Sequence, residues 1–195
     1  MHLKTVKYKK SVILQLVNSI NKNKLQQPMN TQYLDFLIRS WETRDRADAF
    51  HLIRDVLVEY GLICDPFGAD RDVYDVEIHY QKKGGEFWVV ERQGEIVGTA
   101  AYYPIERGNN AVEIRKMYIL PAVRRQGLGK FLLQELESKI IARGFDEIWI
   151  ETASVLKEAV KMYENNGYLP TTGVETQRCD RVYIKYLGMK KQQLQ

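Results

Sequence analysis

Within Met117–Leu136, MYILPAVRRQGLGKFLLQEL, an apolar run ends, Arg124-Arg125-Gln126-Gly127-Leu128-Gly129-Lys130 follows, and an amphipathic pattern begins. Small residues at such a turn let a ligand approach the main chain. The first N–H groups of the helix point outward without partners, and the helix dipole adds partial positive charge. The chemistry this favours is anion binding, most naturally of a pyrophosphate. Two nucleotide motifs fail on single residues. A P-loop needs glycine where this chain has Arg124 and Ser or Thr where it has Phe131, and a dinucleotide fingerprint needs a third glycine at Leu132.

The elements that must present this turn follow from periodicity. Residues 31–190 read as one α/β domain behind an extension, 1–30, whose last stretch NKNKLQQPMN is polar and holds Pro28. Tyr33 to Trp41 reads as a first strand. Thr43 to Tyr60 carries Ala47, Phe50, Ile53, Leu57 and Tyr60 at helical intervals, with Thr43 as cap and Gly61 as stop. A second short helix is expected from Asp72 to Tyr80. EFWVVE, IVGTAAYYPI and AVEIRKMYIL read as three consecutive antiparallel strands. After Gly127, Leu128, Phe131, Leu132, Leu136 and Ile140 line one helix face, with Gln134, Glu135, Glu137 and Lys139 opposite. DEIWIET is a strand, 155–165 a helix with Leu156, Ala159, Val160 and Tyr163 on one face, and YLPTTGV and RVYIKYL are strands. The order β-α-α-β-β-β-α-β-α-β-β predicts a mixed sheet of about seven strands flanked by about four helices, and the strand–helix–strand step between 111 and 151 makes those two strands parallel neighbours.

With the nucleotide motifs excluded, R-x-x-G-x-G at a strand-to-helix turn resembles the coenzyme A loop of the GNAT superfamily of acetyl-CoA-dependent N-acetyltransferases. The element order is similar to that family's fold. Two further family features recur in register: Met117-Tyr118-Ile119 ending a strand before Pro121, and KMYENNGYLP, a helix-end tyrosine before Asn166-Gly167-Tyr168. The match is densest from Glu86 to Pro170. The resemblance implies that the main chain of Met117, Tyr118 and Ile119 hydrogen-bonds the pantetheine arm. It also implies that the amides of Arg125, Gln126, Gly127, Leu128, Gly129 and Lys130 hold the pyrophosphate, with Arg124 and Arg125 pairing with phosphates. At one position the chain departs from the family: Leu156 stands where members often carry a cofactor-contacting asparagine, so Thr152, Ser154 or water must supply that hydrogen bond.

Acetyl transfer poses two proton problems. A primary amine with pKa near ~10 must lose a proton before it attacks, and the departing thiolate must gain one. By resemblance Tyr163 is the acid. The plain alternative, core packing in its apolar stripe, is separable because Tyr163→Phe preserves packing. Glu113, on the strand leading to the loop, is the base by the same resemblance, with an ordered water as the alternative. Arg115 shares its strand face and is expected to lower the pKa of Glu113 and blunt it. An N–H near Met117 is expected to meet the charge growing on the acetyl oxygen.

Composition excludes several other classes. Of 195 residues 45% are apolar and 28% charged, as in an ordinary globular protein. Residues 1–30 hold Lys4, Lys7, Lys9, Lys10, Lys22 and Lys24 and no acid, so the overall +4 less this +6 leaves −2 for the rest. The basic pI belongs to the extension, where Val12, Ile13, Leu16, Val17 and Ile20 predict a short amphipathic helix lying on its own domain rather than on a membrane or nucleic acid. No apolar run reaches the ~18 residues of a membrane span, and a secretion signal is rejected for want of a cleavage site. Cys64 and Cys179 are too few for a disulfide framework, which favours the cytoplasm; they are expected to be inert thiols. His51 and His79 have no metal-ligand spacing, so no metal is assigned. Asp65, Asp70, Asp72, Asp75 and Glu77 are read as helix caps and a solvated face in preference to an acidic acceptor rim. Trp41, Trp88 and Trp149 are expected in the core.

The function expected is transfer of acetyl from acetyl-CoA to a primary amine of a small molecule or peptide. The alternative is a non-catalytic acyl-CoA-binding sensor. Oligomeric state stays open, a homodimer included.

Overall fold

The computed structural model describes residues 28–188, so the helix expected over 12–20 lies outside the described residues. Strands β1 (Asn30–Tyr33), β2 (Phe36–Ser40), β3 (Glu86–Arg92), β4 (Glu95–Ile105), β5 (Ala111–Ile119), β6 (Glu147–Thr152), β7 (Leu169–Thr171) and β8 (Arg181–Tyr186) form an 8-stranded sheet. Their order is β1-β2-β3-β4-β5-β6-β8-β7. Four helices join them: α1 (Arg46–Glu59), α2 (Arg71–Tyr74), α3 (Leu128–Ala142) and α4 (Lys157–Asn165). Neighbouring strands are antiparallel except β5 and β6, which the crossover through α3 makes parallel, as expected.

Both faces of the sheet are covered, which is why β3 reads as a near-continuous apolar run. Its Trp88 and Val90 pack with Leu128, Leu132, Leu136 and Ile140 of α3, and its Phe87 and Val89 with Leu52, Ile53, Val56 and Leu57 of α1. The polar face of α3 is less solvated than its pattern suggests, since Glu137 accepts from Lys185 Nζ at 2.7 Å.

Local geometry corrects four sequence readings. The strand expected over Tyr33–Trp41 is a hairpin, because the chain reverses at Leu34-Asp35, with Leu34 left-handed at φ 53° and exposed. That reversal supplies the eighth strand. Glu42 rather than Thr43 is the cap, and it opens a single 3-10 turn over Thr43–Asp45 that leads into α1: the Glu42 amide donates to Asp45 Oδ2 at 2.8 Å, and Arg39 then clamps the Asp45 carboxylate at 2.7 and 2.8 Å. The helix expected over Asp72–Tyr80 is instead the short α2 and a wide turn at Glu77–Gln81, closed by the Lys82 amide donating to the Glu77 carbonyl. Trp41 and Trp88 are buried, but Trp149 is half-buried beneath the Arg107 guanidinium, 4.1 Å from its ring centre.

Candidate active site

β5 pairs with β6 only over Ala111–Glu113, although both strands continue beyond that point. β5 stays with β4 as far as Ile119 and β6 with β8 as far as Thr152, so the two part and leave a cleft of about 430 Å³. A bulge in β5 turns the strand away. Opposite Ala100, between the pairs Thr99↔Tyr118 and Ala101↔Arg115, β5 has two residues, Lys116 and Met117, and Lys116 is left-handed at φ 52°. The bulge shifts the strand's alternation by one residue. Val112 and Ile114 pack with the α3 core, and so do Met117 and Ile119, while Tyr118 packs with the α1 core.

This cleft brings most of the expected site residues together. Glu113, Met117, Tyr118, Ile119 and Arg124 line it from β5 and the turn, Arg125 from the loop, Gly129 from the first turn of α3, Leu156 from the cap of α4, and Ala159, Met162 and Tyr163 from α4 itself. Between Ile114 and Ile119 the β5 edge toward β6 lacks a strand partner. Gly129 lies between the Ile119 and Met162 side chains, and a Cβ there would stand 3.5 and 3.6 Å from them.

Four loop residues do not line the cleft wall. Leu128 is in the core, Lys130 is exposed, the Gln126 carbonyl accepts from the Tyr33 hydroxyl at 3.0 Å, and Gly127 is the left-handed entry to α3 at φ 81°. A side chain at Gly127 would collide with that same hydroxyl, since its Cβ would lie 2.5 Å from it. Arg124 is engaged within the protein: its Nε donates to the Ile119 carbonyl at 2.8 Å and its Nη atoms to Glu59 at 2.6 and 2.7 Å. Both it and Arg125 line the cleft, and Arg125 is exposed and left-handed at φ 62°.

The candidate acid and base sit in different surroundings. Burial raises the Glu113 carboxyl above its usual range. Arg115, 3.9 Å away, and the Tyr103 hydroxyl, donating at 3.0 Å, work downward without cancelling that rise. Arg115 does pull the carboxyl down, as expected, but burial outweighs it, so the net shift of this candidate base is upward. Tyr163 is buried against the Tyr168 and Tyr183 rings, and its hydroxyl has no hydrogen-bond partner among the described residues. Burial, with Tyr118 and Cys179 beside it, pushes its phenol above the ordinary range.

Two cleft residues, Glu151 and Arg178, escaped the sequence reading. Glu151 of β6 accepts from Arg107 Nη1 and from the Glu175 and Thr176 amides at 2.8–2.9 Å; burial works to raise its carboxyl, but these donors hold it below the usual range. Arg178 and Cys179 enter from the β7–β8 loop. Of the two residues named in place of the absent asparagine, Thr152 lines the cleft, whereas Ser154 is taken by Asp180 at 2.6 Å. Asp70 and Asp72, read as solvated, are buried. The signal available was the acid run itself, met by Arg115, Lys116 and Arg178 far away in sequence. Among the described residues no group of three or more His, Cys, Asp and Glu side chains is placed to hold a metal ion.

The profile of the Acetyltransferase (GNAT) family matches residues 50–168, which include most of α1, the diverging strands, the glycine turn and α4. The chain belongs to the GNAT acetyltransferase family. This GNAT chain is 34% identical over 135 residues to the uncharacterized N-acetyltransferase YjgM of Escherichia coli K12, covering 68% of the chain and 81% of that protein. Its fold is shared with a GNAT acetyltransferase from Staphylococcus aureus, with TM-score 0.72 at 21% identity over 78% of this chain and 99% of the other. The PaiA N-acetyltransferase of Thermoplasma acidophilum, solved with coenzyme A, gives 0.62 at 16% over 78% and 99%. As a GNAT acyltransferase the chain uses acetyl-CoA as cosubstrate, and the unpaired β5 edge, the side-chain-free space at Gly129 and the exposed Arg125 suit that molecule. No helix among the described residues is long and apolar enough to cross a membrane.

Proposed function

We propose that this enzyme transfers acetyl from acetyl-CoA directly to a primary amine of a small molecule or peptide, with Glu113 as base and Tyr163 as acid. The observation that carries the reading is that Glu113 on β5 and Tyr163 on α4 line one cleft. The cosubstrate supplies the activated acetyl thioester, and the amine nitrogen forms the new C–N bond as the C–S bond breaks. Glu113 takes the amine's proton, directly or through one water, and returns it to solvent. Tyr163 gives its phenolic proton to the departing sulfur and is then reprotonated. The free edge of β5 near Met117 offers an N–H to the charge growing on the acetyl oxygen.

A second hollow of about 330 Å³ supports a cationic acceptor. It shares Glu113, Arg115, Glu151 and Thr176 with the cleft, and its lining includes Asp65 and Glu175 as well, so among the described residues four carboxylates line it with one guanidinium, while Arg107 pairs from outside the lining with Glu151 and Glu175 and leaves an acidic excess. An ammonium enters such a hollow more readily than a carboxylate does.

Free-thiol release from acetyl-CoA across a panel of monoamines, diamines, amino acids and short peptides tests the reading, with the acetylated product weighed by mass spectrometry. Because burial raises Glu113, the acidic limb of kcat/KM should lie above the ordinary carboxylate value of ~4.3, with activity gained as pH rises through it. In Glu113→Gln that limb should vanish and the plateau fall about tenfold or more. An unshifted limb in the variant would remove Glu113 from the mechanism.

A further inference from the structure

Lys116 and Arg178 are cations for which the transfer steps have no use, yet both converge on one buried acid. Asp70 is fully buried; it accepts from Lys116 Nζ at 2.5 Å, from both Arg178 Nη atoms at 2.8 Å and from the Asp65 amide at 2.9 Å. Lys116 Nζ also donates to the Ala69 carbonyl at 2.9 Å and lies 3.1 Å from Asp72, which in turn accepts from the Tyr80 hydroxyl at 2.5 Å. Three segments distant in sequence thus meet: the α1–α2 loop, the β5 bulge and the β7–β8 loop. The last lies beyond the residues that match the family profile.

Buried ion clusters seldom add stability over apolar packing of the same volume, so what this one provides must be sought in geometry. The residue it grips is the left-handed Lys116, a strained conformation that persists only where its surroundings impose it. Met117 follows directly, and from there the strand runs along the cleft. Arg178 lines that cleft, as do Thr176 and Cys179 from the same loop.

We propose that Asp70, Lys116 and Arg178 are positioning residues for acetyl transfer: they hold the β5 bulge, and with it the Met117–Ile119 edge, and they tie the β7–β8 loop to the acceptor end of the cleft. The inference rests on the transfer reading for what is positioned, and its test does not need the acceptor to be known.

Lys116→Met and Arg178→Met each leave Asp70 one cationic partner, so both variants should fold, as checked by circular dichroism. Acetyl-CoA affinity by calorimetry and amide exchange without ligand are then compared with wild type. Lys116→Met should weaken acetyl-CoA about tenfold and speed exchange at Met117–Ile119 about tenfold, with part of each recovered in Lys116→Arg. Arg178→Met should speed exchange over 173–180 by a similar factor while holding acetyl-CoA affinity within about twofold. For whichever panel amine reacts, it should raise the KM more than it lowers kcat. Wild-type affinity and exchange in folded Lys116→Met would overturn the proposal. If that variant does not fold, unchanged exchange over 173–180 in Arg178→Met overturns it. An enzyme that acetylates no amine in the panel would sink the acceptor reading and leave these two readouts standing.

Discussion

Tyr163→Phe lowers kcat about 10²-fold, holds the KM for acetyl-CoA within about twofold and leaves the thermal midpoint nearly unchanged. The stability half of this expectation comes from the hydroxyl's surroundings. It has no hydrogen-bond partner among the described residues, so its loss strands no buried donor or acceptor, and the ring contacts to Tyr168 and Tyr183 survive in phenylalanine. The kinetic half comes from proton matching. A phenol raised by burial is a weaker acid, which on its face argues against it. The same cavity, however, raises thiols: Cys179, which lines it, is pushed up to about 11, chiefly by burial. A departing thiolate in that setting is likewise made more basic than in water, so donor and acceptor rise together and the mismatch stays small. Stopped-flow thiol release with a saturating amine measures the effect. Full turnover by Tyr163→Phe would leave Tyr163 as packing.

Asp70→Ala should cost about 3–5 kcal/mol of folding stability, because it breaks both buried ion pairs, leaving Arg178 without its carboxylate and Lys116 with Asp72 alone. Glu59→Ala, which breaks the more exposed pair with Arg124, should cost no more than about 1 kcal/mol. Urea denaturation of the two variants under one set of conditions makes the comparison. The pH dependence follows the same logic. Burial works to raise the Asp70 carboxyl, but Lys116 and Arg178 outweigh it and hold it below the usual range. A carboxylate depressed in the folded state stabilises the fold above its unfolded pKa, and that stabilisation is lost as pH falls through the depressed value. Wild type should therefore shed this contribution as pH falls from the ordinary carboxylate value toward the depressed one, and Asp70→Ala should lack that acidic loss. Glu113 runs the other way: its raised carboxyl makes the fold gain stability as pH falls through its folded value toward ~4.3.

The catalytic half of the fold was legible because its signals are local. The switch from period two to helical period at Gly127, the glycines of the turn and the tyrosine ending α4 are all written in short stretches of chain. The parallel neighbourhood of β5 and β6 followed from the crossover between them. The first hairpin was hidden because its reversal at Leu34-Asp35 uses no glycine and continues the apolar pattern of a single strand. The bulge at Lys116 was hidden for a related reason: regular alternation would have placed that lysine beside Val112 and Ile114, and it is Asp70 and Asp72, 46 and 44 positions away, that explain why it turns to the other face. Arg115 misled because its charge was visible in the sequence and the burial of Glu113 was not. Long-range ion clusters and desolvation have no periodic signature.

Acetyl-CoA is expected to lie in the gap between β5 and β6. Hydrogen exchange with and without saturating acetyl-CoA locates it. Protection should concentrate at Met117–Ile119 and at the loop amides from Arg125 to Lys130, with little change on β1–β3. Binding that protects neither stretch, or protects the α1 face instead, would contradict this placement.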